Sequence, residues 1–116
     1  MGIEAARAFV VLWLVGHGYQ QHQADGIADV LWGESRFEPC VISPYGDEGI
    51  AQWRGSRRVN LHVDSATPQS SSVPLESQLV FLDKELRSRA EAKHFFSCHT
   101  RGEAKAVFRQ RFEQSH

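Results

Sequence analysis

With 116 residues, 41% hydrophobic and 23% charged, the chain has the composition of one globular domain over residues 1–116 and too little length for a second module. Its net charge of −1, from 13 basic and 14 acidic residues without blocks, gives no reason to expect nucleic acid or an anionic membrane as a partner. Cys40 and Cys98 allow one disulfide at most, or two free thiols.

Residues 8–15 (AFVVLWLV) form the first apolar run. It is too short to span a bilayer, and it lacks the basic start and small-residue cleavage site of a secretory signal. Ala5, Ala6, Phe9, Leu12 and Trp13 predict a helix buried on most sides, broken at Gly16-His17-Gly18.

The next helix is predicted by Ala24, Ile27, Ala28, Leu31, Trp32 and Ser35, which recur at three- and four-residue steps. Asp25 is expected in its first turn, where a negative charge suits the helix dipole. Pro39 stops it, because the residue before a proline is pushed out of the α region. Glu34 falls in the last turn, on the edge of the apolar stripe. Burial and the negative end of the dipole both disfavour its charged form. A carboxyl kept protonated near neutrality suits general-acid chemistry. The alternative is a helix-end Glu that merely bonds a turn amide.

Residues 41–53 hold Pro44, Gly46 and Gly49, and predict a short hairpin or an irregular lobe beside that helix. One or two helical turns follow over 56–62. Residues 65–74, with Thr67-Pro68 and three serines, read as a surface loop. Leu75, Leu79, Leu82 and Leu86 share one helical face, and Ala104, Val107, Phe108 and Phe112 share another. No zinc-peptidase or zinc-finger spacing occurs, and His94 and His99 are poorly spaced for one metal, so no metal and no cofactor is expected. Cys40 has no obvious base beside it. Arg57-Arg58 reads as a solvated face or a contact for acidic glycan and peptide groups.

Several of these pieces resemble one family in order and spacing. Glu34-Ser35, Phe37 and Pro39, then Ser43-Pro44-Tyr45-Gly46, then Gly49-Ile50-Ala51-Gln52 are similar to the core motif of goose-type lysozymes and lytic transglycosylases. Gln52-Trp53-Arg54-Gly55-Ser56-Arg57 narrows the likeness to the lysozyme domains of phage tail proteins, and it runs from about Gly18 to Glu113.

The resemblance implies a mostly α, α+β lysozyme-like fold and a muramidase. Such an enzyme cleaves the β-1,4 bond between N-acetylmuramic acid and N-acetylglucosamine in peptidoglycan glycan strands. Glu34 would be the acid. Asp47 would be the base that activates water, with Glu48 as the alternative. Ser43 matches the motif serine of lytic transglycosylases, which close the sugar into a 1,6-anhydro product instead. Tyr45 and Gln52 would contact substrate, Gln52 either at the acetamido group or by ordering the loop. Trp53 would offer a flat face to a sugar ring or serve as a core anchor. The family often carries a Tyr near the last helix, and its counterpart here is Phe112. A non-catalytic wall-binding or structural phage component on the same fold is the competing class. The implied setting is a phage virion or the host periplasm and cell wall, reached without a recognisable signal peptide, as an endolysin or beside other tail components.

Overall fold

Helix α1 (Ile3–Gly16) buries one stripe, Ala6, Val10 and Leu14, at four-residue steps. Leu12 is 70% exposed, so the expected helix buried on most sides is corrected to a surface helix with one packed face. The reason is its setting, since among the helices it packs chiefly on α2. The computed structural model describes residues 2–113.

Helix α2 (Gln21–Ser35) starts at a reciprocal cap. The Gln20 side chain accepts from the backbone of Gln23, and the Gln20 N–H donates to Gln23 Oε1 at 2.9 Å. Asp25 therefore lies in the second turn, one turn later than expected. Ala24, Ile27, Ala28, Leu31 and Ser35 are buried as the pattern predicts. Trp32 is not; its ring lies open, 5.2 Å from the Arg36 guanidinium. The helix ends before the proline requires it, because Arg36 and Phe37 both take left-handed backbone angles (φ 53° and 62°). That reversal carries the Phe37 side chain back into the core.

Residues 41–53 form an irregular lobe and no sheet. Isolated antiparallel bridges join Ile42 to Glu48 and Glu48 to Trp53. Helices α3 (Ser56–Asp64) and α4 (Leu75–Ser88) follow, then α5 (Ala92–Phe96), which the sequence pattern did not reveal. Helix α6 (Arg101–Phe108) is capped by Thr100, whose Oγ1 accepts from the Glu103 N–H at 3.1 Å. It continues into a π-helical turn, Arg109–Glu113. Helices α2 and α6 cross closely at Gly26, where an added Cβ would lie 2.8 Å from the Lys105 nitrogen. The fold is thus mostly helical, around one core in which Trp53, Phe95, Phe108 and Phe112 are the largest buried side chains. No described helix is long and apolar enough to cross a membrane. Cys40 is exposed, Cys98 is buried, and both are free thiols.

Candidate active site

The end of α2 is fastened to the lobe through Ser35. Its hydroxyl donates to the Ile50 carbonyl at 2.7 Å and to Leu31 within its own helix at 3.1 Å. The Ile50 N–H donates to Oε1 of Gln78 on α4 at 2.8 Å. Gln78 is fully buried, and its amide donates to the carbonyls of Pro39 (2.9 Å) and Val73 (2.8 Å). Two side chains from two helices therefore satisfy both backbone groups of one buried loop residue. Gly49 makes this possible, with φ 82° and a Cβ position only 2.6 Å from Gln78 Oε1. The Glu-Ser pair now has a physical reading: one residue anchors the loop and its neighbour faces out over it.

Glu34 is that neighbour. The residue is exposed, yet protein packed around its carboxyl raises its pKa by desolvation. The positive charge of Arg109 opposes this, and the negative charge of Asp47 adds to it. Glu34 accepts no hydrogen bond from any described residue. An exposed acid whose pKa is raised is a group that can hand a proton to a bound oxygen.

Asp47 sits in a tight closed turn. Ser43 Oγ accepts from the N–H groups of Tyr45 (3.2 Å) and Asp47 (3.1 Å), and the Ser43 N–H donates to the Asp47 carbonyl at 2.8 Å. Both Asp47 carboxylate oxygens accept from Arg54, each at 2.9 Å. Tyr45 is 87% exposed at the tip. Gln52 has φ 54°, and its amide donates to the Gly49 carbonyl at 2.9 Å.

Three other expectations meet a definite geometry. Glu48, the alternative second carboxylate, is buried, and its Oε1 accepts from Arg58 at 2.7 Å and lies 2.8 Å from His62 Nε2. It is a structural ion pair, closed to a catalytic water. Trp53 is fully buried, and its indole N–H donates to Glu85 at 2.8 Å; with no open face, it is the core anchor. Arg57 and Arg58 are not a solvated face. Arg57 forms a two-pronged pair with Glu85 (3.0 and 2.8 Å) and lies 4.9 Å from the Phe112 ring centre, while Arg58 serves Glu48.

Two residues of the last turn that the sequence pattern did not single out are coupled to Glu34 by charge: Arg109 and Glu113. Phe112 is buried and stacks on Phe108 at 4.6 Å, so the expected counterpart of the family's Tyr faces the core. Its neighbour Glu113 has a buried Oε1 without a hydrogen-bond partner among the described residues. Burial first, and then the charge of Glu34, push the Glu113 carboxyl well above the usual range. Nothing local in the sequence marks this residue, because a Glu beside an apolar i, i+4 stripe reads as solvated. Among the described residues no group of His, Cys, Asp and Glu is arranged to hold a metal ion.

A family model described as phage tail lysozyme matches residues 5–116. No curated protein and no solved structure matches the chain.

Proposed function

The chain belongs to the phage tail lysozyme family, and from that premise we propose that it is a muramidase acting on the glycan strands of peptidoglycan. The observation that carries this reading is Glu34: an exposed, raised-pKa carboxyl at the end of a helix whose next residue locks the facing loop. Glu34 gives its proton to the glycosidic oxygen, the C–O bond breaks, and positive charge develops on the sugar as an oxocarbenium ion. Water then adds to that carbon and passes a proton to Asp47, whose charge already acts on Glu34. Tyr45 and Gln52 border the loop side of the site. Asp47 and Arg54 hold each other in register, and Ser43 holds the turn that carries Asp47. The setting would be a virion or the host cell wall, with other tail components as further partners.

A second reading has a specific observation in its favour. Arg54 occupies both oxygens of Asp47, which weakens it as a base. The sugar's own 6-hydroxyl would then close on the oxocarbenium carbon and leave a 1,6-anhydro end, as in lytic transglycosylases.

One experiment on purified peptidoglycan tests both. Glu34→Gln should lower the rate of wall clearance by about 10²–10⁴ while the protein stays folded. Clearance at the wild-type rate would overturn the assignment and favour a non-catalytic wall-binding component. Mass spectrometry of the products separates the two chemistries, since an anhydro end is lighter by one water. With reducing ends, Asp47→Asn should cost about tenfold or more; with anhydro ends it should be nearly silent.

A further inference from the structure

Three arginines lie within residues 54–58, and their partners divide them. Arg57 is committed to its two-pronged pair with Glu85, and its side chain is 12% exposed. Arg58 is committed to Glu48 and to the Gly46 carbonyl at 3.0 Å. Arg54 differs from both. Its side chain is 52% exposed, and among the described residues its guanidinium pairs with Asp47 alone, through Nε and Nη2 at 2.9 Å each. Both oxygens of the candidate base are therefore closed by one solvent-facing side chain.

Of the two partners, Arg54 is the one built to let go. Asp47 is fixed at its backbone: its N–H donates to Ser43 Oγ at 3.1 Å, and its carbonyl accepts from the Ser43 N–H at 2.8 Å. Arg58 holds the preceding carbonyl, that of Gly46. The Asp47 side chain is 13% exposed. The Arg54 backbone is anchored as well, since its carbonyl accepts from the Arg57 N–H at 3.1 Å, so its long side chain swings from a fixed root. An ion pair this open to water is held weakly, because water competes for both ions and ordering the arginine costs entropy. A carboxylate presented from solution offers the guanidinium the same two-pronged geometry, so exchanging one carboxylate for another is close to neutral.

We propose that Arg54 is a specificity-determining latch, opened by a carboxylate on the peptide stem of the substrate. Peptidoglycan strands carry short peptides on their muramyl sugars, and those peptides bear carboxylates. In the resting protein Arg54 closes Asp47. When a stem carboxylate takes the guanidinium, the Asp47 oxygens are released. Asp47 then accepts a proton from water, whose oxygen bonds to the sugar carbon, while the leaving oxygen departs with the Glu34 proton. With the latch closed, the sugar's 6-hydroxyl oxygen bonds to that carbon instead. Its proton goes to the Glu34 carboxylate, and a 1,6-anhydro end is left. The latch thus decides between two products, and it makes hydrolysis selective for strands with acidic stems.

This inference rests on the roles proposed for Glu34 and Asp47, and its test is built to separate the two. Soluble peptidoglycan strands are compared with the same strands after carbodiimide coupling of their carboxyls to methylamine, which removes the charge and keeps the peptide. Wild type should release reducing ends about tenfold faster from the acidic strands, since the preference is set by what Asp47 contributes as a base. On the amidated strands anhydro ends should prevail. Arg54→Gln should form reducing ends from both substrates at rates within about twofold of each other. Arg54→Lys keeps the charge without the fork and should retain part of the preference. The nitrogen-15 resonance of Arg54 Nε reads the exchange without turnover. A muramyl peptide with free carboxyls should shift it, whereas the amidated peptide and acetate at the same concentration should not. That shift supports the latch even if no protein turns over, in which case only the muramidase reading fails. An Nε resonance that ignores the acidic peptide, or that responds equally to acetate, overturns the proposal, as does an Arg54→Gln variant that keeps the wild-type preference.

Discussion

Glu48 in the lobe and Glu113 in the last turn are both buried carboxyls, and the chain treats them oppositely. Glu48 has Arg58 at 2.7 Å and His62 at 2.8 Å, and the other His62 ring nitrogen lies 3.1 Å from the Thr67 and Pro68 carbonyls. Every partner is drawn from scaffold, and the result ties the lobe to α3 and to the loop after it. Glu113 has a buried oxygen with no described partner, and the charge nearest in effect is another carboxylate. Among the described residues, Glu113 Oε1 is the one buried side-chain oxygen or nitrogen left without a hydrogen-bond partner. Incomplete satisfaction of that kind costs stability and is tolerated chiefly where it serves a function.

The largest effect expected from this contrast is on stability. Glu48→Gln removes the negative charge paired with Arg58 and leaves that guanidinium facing a neutral amide oxygen. Breaking one side of a buried pair costs about 3–5 kcal/mol. Glu113→Gln replaces an acid that has one buried, unpartnered oxygen with a neutral amide of the same shape and should change stability by less than about 1 kcal/mol. Urea unfolding of the two variants at neutral pH checks the pair. Similar losses in both would erase the distinction between scaffold acid and site acid.

A second effect sharpens the lobe side of the comparison. Gly49→Ala puts a Cβ 2.6 Å from Gln78 Oε1 at a φ of 82°. The backbone strain alone is about 1–3 kcal/mol, and relief requires breaking the Gln78–Ile50 hydrogen bond. Because Ser35 holds the other side of Ile50, wall-clearing activity should fall with stability. A variant as stable as wild type would mean that the seam between α2 and the lobe is looser than its hydrogen bonds imply.

Much of this architecture is legible in the sequence, and its gaps have physical causes. The stripes Ala24–Ile27–Leu31 and Leu79–Leu82–Leu86 place α2 and α4, because burial on one face imposes a helical period. The family resemblance on residues 33–57 agrees with the matched family model. The buried side of α1 is not legible in the sequence, because its apolar residues surround the helix; only packing selects Ala6, Val10 and Leu14. Helix α5 is too short for periodicity to reveal. Gln78 and Glu113 are polar residues whose importance comes from long-range closure. Gln78 meets residues 28 and 39 positions away, at Ile50 and Pro39, and no local pattern encodes such a meeting.

Asp29, on α2 away from the lobe, gives the smallest effect and a control for both carboxyls. It is as fully paired as Glu48 but at the surface. Arg101 on α6 donates to it twice (2.7 and 2.6 Å), and Arg7 on α1 once (2.8 Å). Chiefly through the Arg101 bonds, its pKa falls to about 2. A carboxylate with a depressed folded pKa stabilises the fold above its unfolded value, near 3.9, and that contribution is lost as pH falls toward the folded value. Taken at face value the shift corresponds to about 2.5 kcal/mol, but the Arg101 side chain is 52% exposed and solvent screens the pair. Asp29→Asn should therefore cost about 1 kcal/mol at pH 7. The gap from wild type should be constant from pH 7 to about 5, then narrow as pH falls through about 4 toward 2. It should also shrink at high salt, whereas the cost of Glu48→Gln, buried and unscreened, should not. A gap independent of both pH and salt would mean that Asp29 acts through packing between α2 and α6, and that charge saturation alone does not distinguish Glu48 from Glu113.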